Sequence, residues 1–113
     1  MGTLHPVTLR EISAQELHDL GSAARIIDVR EPHEWAAGHI PHAELIVLGT
    51  VPDHVDAFDG SPTYVICHAG SRSAHACEFL SAQGRDVVNV AGGMLAWGAA
   101  GYEITTGTHV AGG

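Results

Sequence analysis

The sequence predicts a three-layer α/β domain with a mainly parallel central sheet flanked by helices. Three short runs rich in Val and Ile, ARIIDVR (24–30), TYVIC (63–67) and DVVNV (86–90), are bounded by polar, Gly or Pro residues, as buried strands are. Segments with helical patterning lie between them. Strands alternating with helices need crossover connections, which give parallel pairing and a sheet covered on both faces. The chain has 113 residues, enough for one core and too few for two. Residues 1–113 are therefore read as a single domain, with a core over about 8–105.

The elements follow in order. PVTL (6–9) is expected to be a short edge strand. SAQELHDL opens with Ser13 and carries Glu16 three residues on, the pattern of a capping box at a helix start. ARIIDVR is the second strand, and EPHEWAAG is a short helix ending in glycine. ELIVL (44–48) is a weaker strand, and TVPDHVDAF a further helical segment. TYVIC leads into SRSAHACEFLSAQG, apolar at 74, 77 and 80 and stopped by Gly84. DVVNV precedes a last helix in GGMLAWGAAG. The tail from 106 to 113 has little to bury and is expected to be mobile.

Charge narrows the range of partners. Five Lys and Arg stand against 13 Asp and Glu, for a formal net charge of −8. No basic patch is available to neutralise nucleic-acid phosphates or an acidic membrane surface, so neither is expected as a partner. An anion must be held locally, by backbone amides and a few arginines. No apolar run approaches the ~20 residues that span a bilayer. The first residues lack the apolar stretch of a secretion signal, and two cysteines fit a reducing compartment, so the protein is read as cytoplasmic.

Chemistry concentrates at CHAGSRS (67–73). Ligands of open parallel sheets gather at the carboxyl ends of strands, where Cys67 falls. Gly70 can take backbone angles closed to other residues, and a helix starts near Ser71. Strand end, tight loop and helix start turn several N–H groups into one concavity that favours negative charge. A thiol held there has a lowered pKa and reacts as a thiolate. Arg72 adds a permanent cation able to grip an oxyanion in bidentate fashion. Cys67 is thus the candidate nucleophile and Arg72 the candidate anion clamp. His68, Ala69, Gly70, Ser71 and Ser73 form the candidate substrate cradle.

DVREPHEWAAGHIPHA (28–43), CHAGSRS (67–73) and GGMLAWGAAGYEI (92–104) together resemble three signatures of single-domain rhodaneses, in that family's order and spacing. The resemblance spans roughly residues 8 to 105. It implies a sulfurtransferase in which Cys67 accepts a sulfane sulfur from a small anionic donor such as thiosulfate, becomes a persulfide, and passes the sulfur to cyanide or a thiol. The acceptor thiol can belong to a protein, and a persulfide relay serving a partner protein is the alternative role. No metal or organic cofactor is implied. Cell-division-cycle phosphatases resemble the same fold with a Cys-x5-Arg loop. Here four residues separate Cys67 from Arg72, and the shorter ring suits one sulfur better than three phosphate oxygens. His42 and Glu44 stand where small and aliphatic residues are expected.

Other residues are read more plainly. Asp28, Arg30 and Glu34 are expected to form a network that fixes their loop, with Arg30 the one of them that touches substrate. Trp35 and Trp97 are expected to pack. Ala74 and Leu80 share a helical face with Cys77, which makes Cys77 a core residue. The nine histidines are scattered without a metal-binding spacing. Gly92 and Gly93 are expected to shape the turn into the last helix, near the site.

Overall fold

A computed structural model describes residues 9–107. Strands β1 (Glu11–Ser13), β2 (Arg25–Asp28), β3 (Glu44–Leu45), β4 (Thr63–Ile66) and β5 (Val87–Ala91) form one sheet in the order β1-β5-β4-β2-β3. Every pairing in it is parallel. Helices α1 (Ala14–Asp19), α2 (Pro32–Ala37), α3 (Ser71–Ala82) and α4 (Gly93–Ala99) complete the layers. Among the described residues, no helix is long and apolar enough to cross a membrane.

The period-two alternation of strand side chains sorts the core into two halves. Ile27, Val65 and Val87 face α3 through Ala76, Cys77 and Leu80. Ile26, Ile66 and Val90 face the other way, against Leu17 of α1, Trp35 of α2 and Met94 and Trp97 of α4. Both faces are thus buried, which is why the strands read as nearly continuous apolar runs.

The strand and the helix expected over 44–58 differ from the sequence expectation, and both chain ends lie partly outside the described residues. The edge strand lies at Glu11–Ser13, paired Ile12 to Val90, whereas residues 6–8 of the expected strand fall outside the described residues. Ser13 ends that strand and caps α1: its Oγ accepts the Glu16 N–H at 3.0 Å, while Glu16 Oε1 accepts the Ser13 N–H at 2.8 Å. The strand expected over 44–48 keeps only two ladder residues, Glu44 and Leu45, before the chain tightens into a 3-10 segment at Leu48–Asp53. Pro52 sits inside that segment, where its missing N–H breaks an α-helical ladder, and a second 3-10 turn follows at Val55–Ala57. Of the expected tail, Gly107 donates its N–H to the Ala36 carbonyl at 2.9 Å, and residues 108–113 lie outside the described residues.

Candidate active site

β4 is the central strand, and Cys67 follows its last residue. Two apolar halves bury β4, so the thiol sits at the floor of the loop and the residue is only 1% exposed. Gly70 makes the turn. Its φ of 110° is left-handed, and it stands as the N-cap of α3. The start of α3 therefore points back at Cys67.

The loop's carbonyls are captured from the other side. Met94 N–H donates to the Cys67 carbonyl at 2.8 Å and Leu95 N–H to the His68 carbonyl at 2.9 Å. These are first-turn amides of α4, which have no partner within their own helix. Gly93 makes this approach feasible. A Cβ there would lie 2.4 Å from the Cys67 carbonyl oxygen, and its φ of +53° already belongs to the left-handed region. With its carbonyls tied to α4, the loop turns N–H groups inward.

Gly70 N–H donates to Cys67 Sγ at 3.1 Å, and Ser73 Oγ lies 3.3 Å from the same sulfur. Burial pushes the Cys67 thiol up. The Ser73 hydroxyl and the backbone N–H groups of Ser73, Gly70 and Ala69 outweigh it, and the thiol falls below its ordinary value. The side chains of His68, Ala69 and Ser71 are exposed.

The arginines are held rather than free. Arg72 makes a bidentate pair with Glu34 of α2, Nη1 to Oε1 and Nη2 to Oε2, both at 2.8 Å. Hydrogen bonding to Arg72 is the main force holding the Glu34 carboxyl down at about 2. Arg30 is buried, with Nε and Nη2 bonded to the Asp28 carboxylate and Nη2 also to the Gly38 carbonyl at 2.7 Å. Hydrogen bonding divides the expected Asp28–Arg30–Glu34 network into two pairs, with the charge of Arg30 still helping to lower the Glu34 carboxyl. Asp28 and Arg30 close on each other, while Glu34 reaches across to α3.

A hollow of about 220 Å³ opens beside the loop, lined by Arg30, Glu34, His68, Met94, Leu95 and Ile104. A larger one of about 360 Å³, between Leu17, His18, Ile40 and Trp97, holds no residue of the loop. Cys77 is wholly buried against the core and is a free thiol, its pKa pushed up to about 12 by desolvation. Trp35 stacks on His39 at 3.6 Å, and Trp97 donates its Nε1–H to the Glu103 carbonyl. No cluster of three or more His, Cys, Asp or Glu that could hold a metal occurs among the described residues.

Asn89 is the residue that sequence reasoning passed over. It is 1% exposed in the middle of β5, and its side chain reaches Ser73, Gly70 and Glu11. The signal was a polar residue inside VVNV, since a buried amide must find hydrogen-bond partners.

A parallel sheet with a cysteine loop at its centre, cradled by amides and flanked by arginines, defines a class of small thiol domains. The description Rhodanese-like domain matches residues 13–100, and the chain belongs to that family. It is 42% identical over 93 residues to YtwF of Bacillus subtilis, covering 79% of this chain and 90% of that protein. It is 38% identical over 76 residues to the thiosulfate sulfurtransferase GlpE of Pseudomonas putida, covering 66% of this chain and 69% of that one. In structure it is similar to a rhodanese-related protein of Thermoplasma volcanium, with a TM-score of 0.79 and 35% identity over 85% of this chain and 97% of the other.

Proposed function

We propose that this chain is a sulfurtransferase that carries a sulfane sulfur on Cys67. The observation that supports the reading most is the setting of the Cys67 sulfur, which receives the Gly70 N–H at 3.1 Å with the Ser73 hydroxyl at 3.3 Å. Such a cradle stabilises a thiolate, and afterwards the negative charge of a persulfide. In the first half-reaction the thiolate attacks the outer sulfur of thiosulfate. A bond forms between that sulfur and Sγ, the sulfur–sulfur bond of thiosulfate breaks, and sulfite leaves with the electron pair. In the second, cyanide or an acceptor thiolate attacks the terminal sulfur, and Cys67 departs as the thiolate. Splitting the transfer in this way gives ping-pong kinetics.

Arg72, fixed by Glu34, supplies a positive field at the loop, and Arg30 walls the hollow in which the donor's oxygens sit. No cofactor takes part. A loop of four residues between Cys67 and Arg72 favours this chemistry over phosphate hydrolysis.

The test is intact mass after incubation with thiosulfate, then with cyanide, on the wild type and Cys67→Ser. The expected result is a gain of one sulfur atom on the wild type alone, reversed by cyanide with release of thiocyanate. A Cys67→Ser protein that still gains sulfur and turns over ends the proposal.

A second reading, relay to a partner protein, is favoured by the rim of the same hollow. Leu95 and Ile104 are 55% and 41% exposed there, an apolar border suited to a protein acceptor. Replacing Leu95 by Ser is expected to slow transfer to a protein acceptor while leaving transfer to cyanide near the wild-type rate.

A further inference from the structure

The Ser73 hydroxyl has one proton and three acceptors around it. Asn89 Oδ1 is nearest at 2.5 Å, and Cys67 Sγ and the Gly70 carbonyl are both at 3.3 Å. Asn89 cannot turn its amide around. Its Nδ2 donates to Glu11 Oε2 at 2.8 Å and to the Gly70 carbonyl at 3.2 Å, and both of those groups only accept. Oδ1 is therefore held facing Ser73, where it can take the hydroxyl proton and give none back. Both Ser73 and Asn89 are buried, so water does not relieve the competition.

We propose that Asn89 is a positioning residue that competes with the Cys67 sulfur for the single hydroxyl proton of Ser73. While Cys67 is a thiol, its S–H donates to Ser73 Oγ and the Ser73 O–H donates to Asn89. When the thiol proton leaves to solvent or to a base, the Ser73 O–H swings to the thiolate and Asn89 Oδ1 gives up its donor. Apart from the S–H bond that ionisation breaks, its proton passing to water or the base, only these hydrogen bonds change. Each thiolate formed thus costs the Ser73–Asn89 bond, and Asn89 keeps the nucleophile less acidic than the cradle alone would make it. That restraint has a chemical use, because the intrinsic nucleophilicity of a thiolate falls as its pKa falls.

The inference rests on Cys67 being the nucleophile, but its test does not need sulfur transfer. The charged and titratable groups coupled to this cluster are Arg72, Cys77 and Glu78 from α3, Glu11 from β1, Asp28 at the end of β2, Arg30 after it and Glu34 in α2, and His68 is next to Cys67 in the chain. None of them is altered by the substitutions below. In Asn89→Leu, the Gly70 carbonyl keeps the Ala74 N–H at 3.2 Å, and Glu11 is exposed to water.

The experiment follows the alkylation rate of Cys67 against pH, read by mass on the Cys67 peptide. It compares the wild type, Ser73→Ala, Asn89→Leu and the double variant. Ser73→Ala is expected to raise the midpoint by about half a pH unit or more, through loss of a donor to the thiolate. Asn89→Leu is expected to lower it by a similar amount and to reduce the plateau rate at high pH. The double variant is expected to match Ser73→Ala, because Asn89 acts through that hydroxyl. A midpoint that rises or stays unchanged in Asn89→Leu overturns the proposal, as does a double variant with the two shifts simply added. Failure of these shifts alongside normal persulfide formation removes the Asn89 inference alone. Loss of persulfide formation with the shifts intact removes the sulfur-transfer reading alone.

Discussion

Two cysteines ten residues apart meet opposite environments. Cys67 faces inward-turned amides and a hydroxyl, and its thiol is drawn below its ordinary value against the effect of burial. Cys77 has burial without donors and is pushed up to about 12. Near neutral pH, alkylation is expected to modify Cys67 quickly and to reach Cys77 only on unfolding, with peptide mass as the measurement. A Cys67 rate profile centred at or above that of a free thiol would contradict the cradle. The position of Cys67 was legible because a cysteine ending an apolar run before a glycine turn is an unusual local grammar. What Glu34 does was less legible. It stands 38 residues from Arg72, and nothing in sequence spacing announces a bidentate pair across two helices.

The link from Glu34 to Arg72 ties α2 to α3 and has a readable pH dependence. Glu34 titrates at about 2 in the folded protein against an ordinary 4.5. A carboxyl lowered on folding stabilises the fold fully above its unfolded value, and that stability is lost as pH falls through the folded value. Urea midpoints are therefore expected to drop between pH 4.5 and about 2, and to drop less in Glu34→Gln. Both side chains are partly exposed, so solvent screening keeps the effect modest. The approach of α4 is less forgiving. Gly93→Ala places a methyl against the Cys67 and His68 carbonyls and is expected to cost about 1–3 kcal/mol in urea unfolding, with slower alkylation of Cys67. The elements most legible from sequence were the Val- and Ile-rich strands and the Ser13–Glu16 cap, where local chemistry and burial agree. β1 went unread because Glu-Ile-Ser has one apolar residue and half-buries it, a pattern too short to stand out.

The whole molecule carries a formal charge of −8, and its proposed donor is an anion. Long-range repulsion acts on approach, whereas the amides act only on arrival. Raising ionic strength within the range that leaves the fold intact is expected to lower KM for thiosulfate with little change in kcat. A KM that rises with salt would show instead that the arginine-flanked mouth governs approach. The sheet has another consequence, one of solubility. Its two outer strands are three and two residues long, and β3 gives way at once to a 3-10 segment. Such stubs offer a neighbouring chain very few open backbone groups on which to build a cross-molecule ladder. Among the described residues, edges this short are expected to disfavour edge-to-edge association, so light scattering is expected to stay at the monomer-domain level as concentration rises.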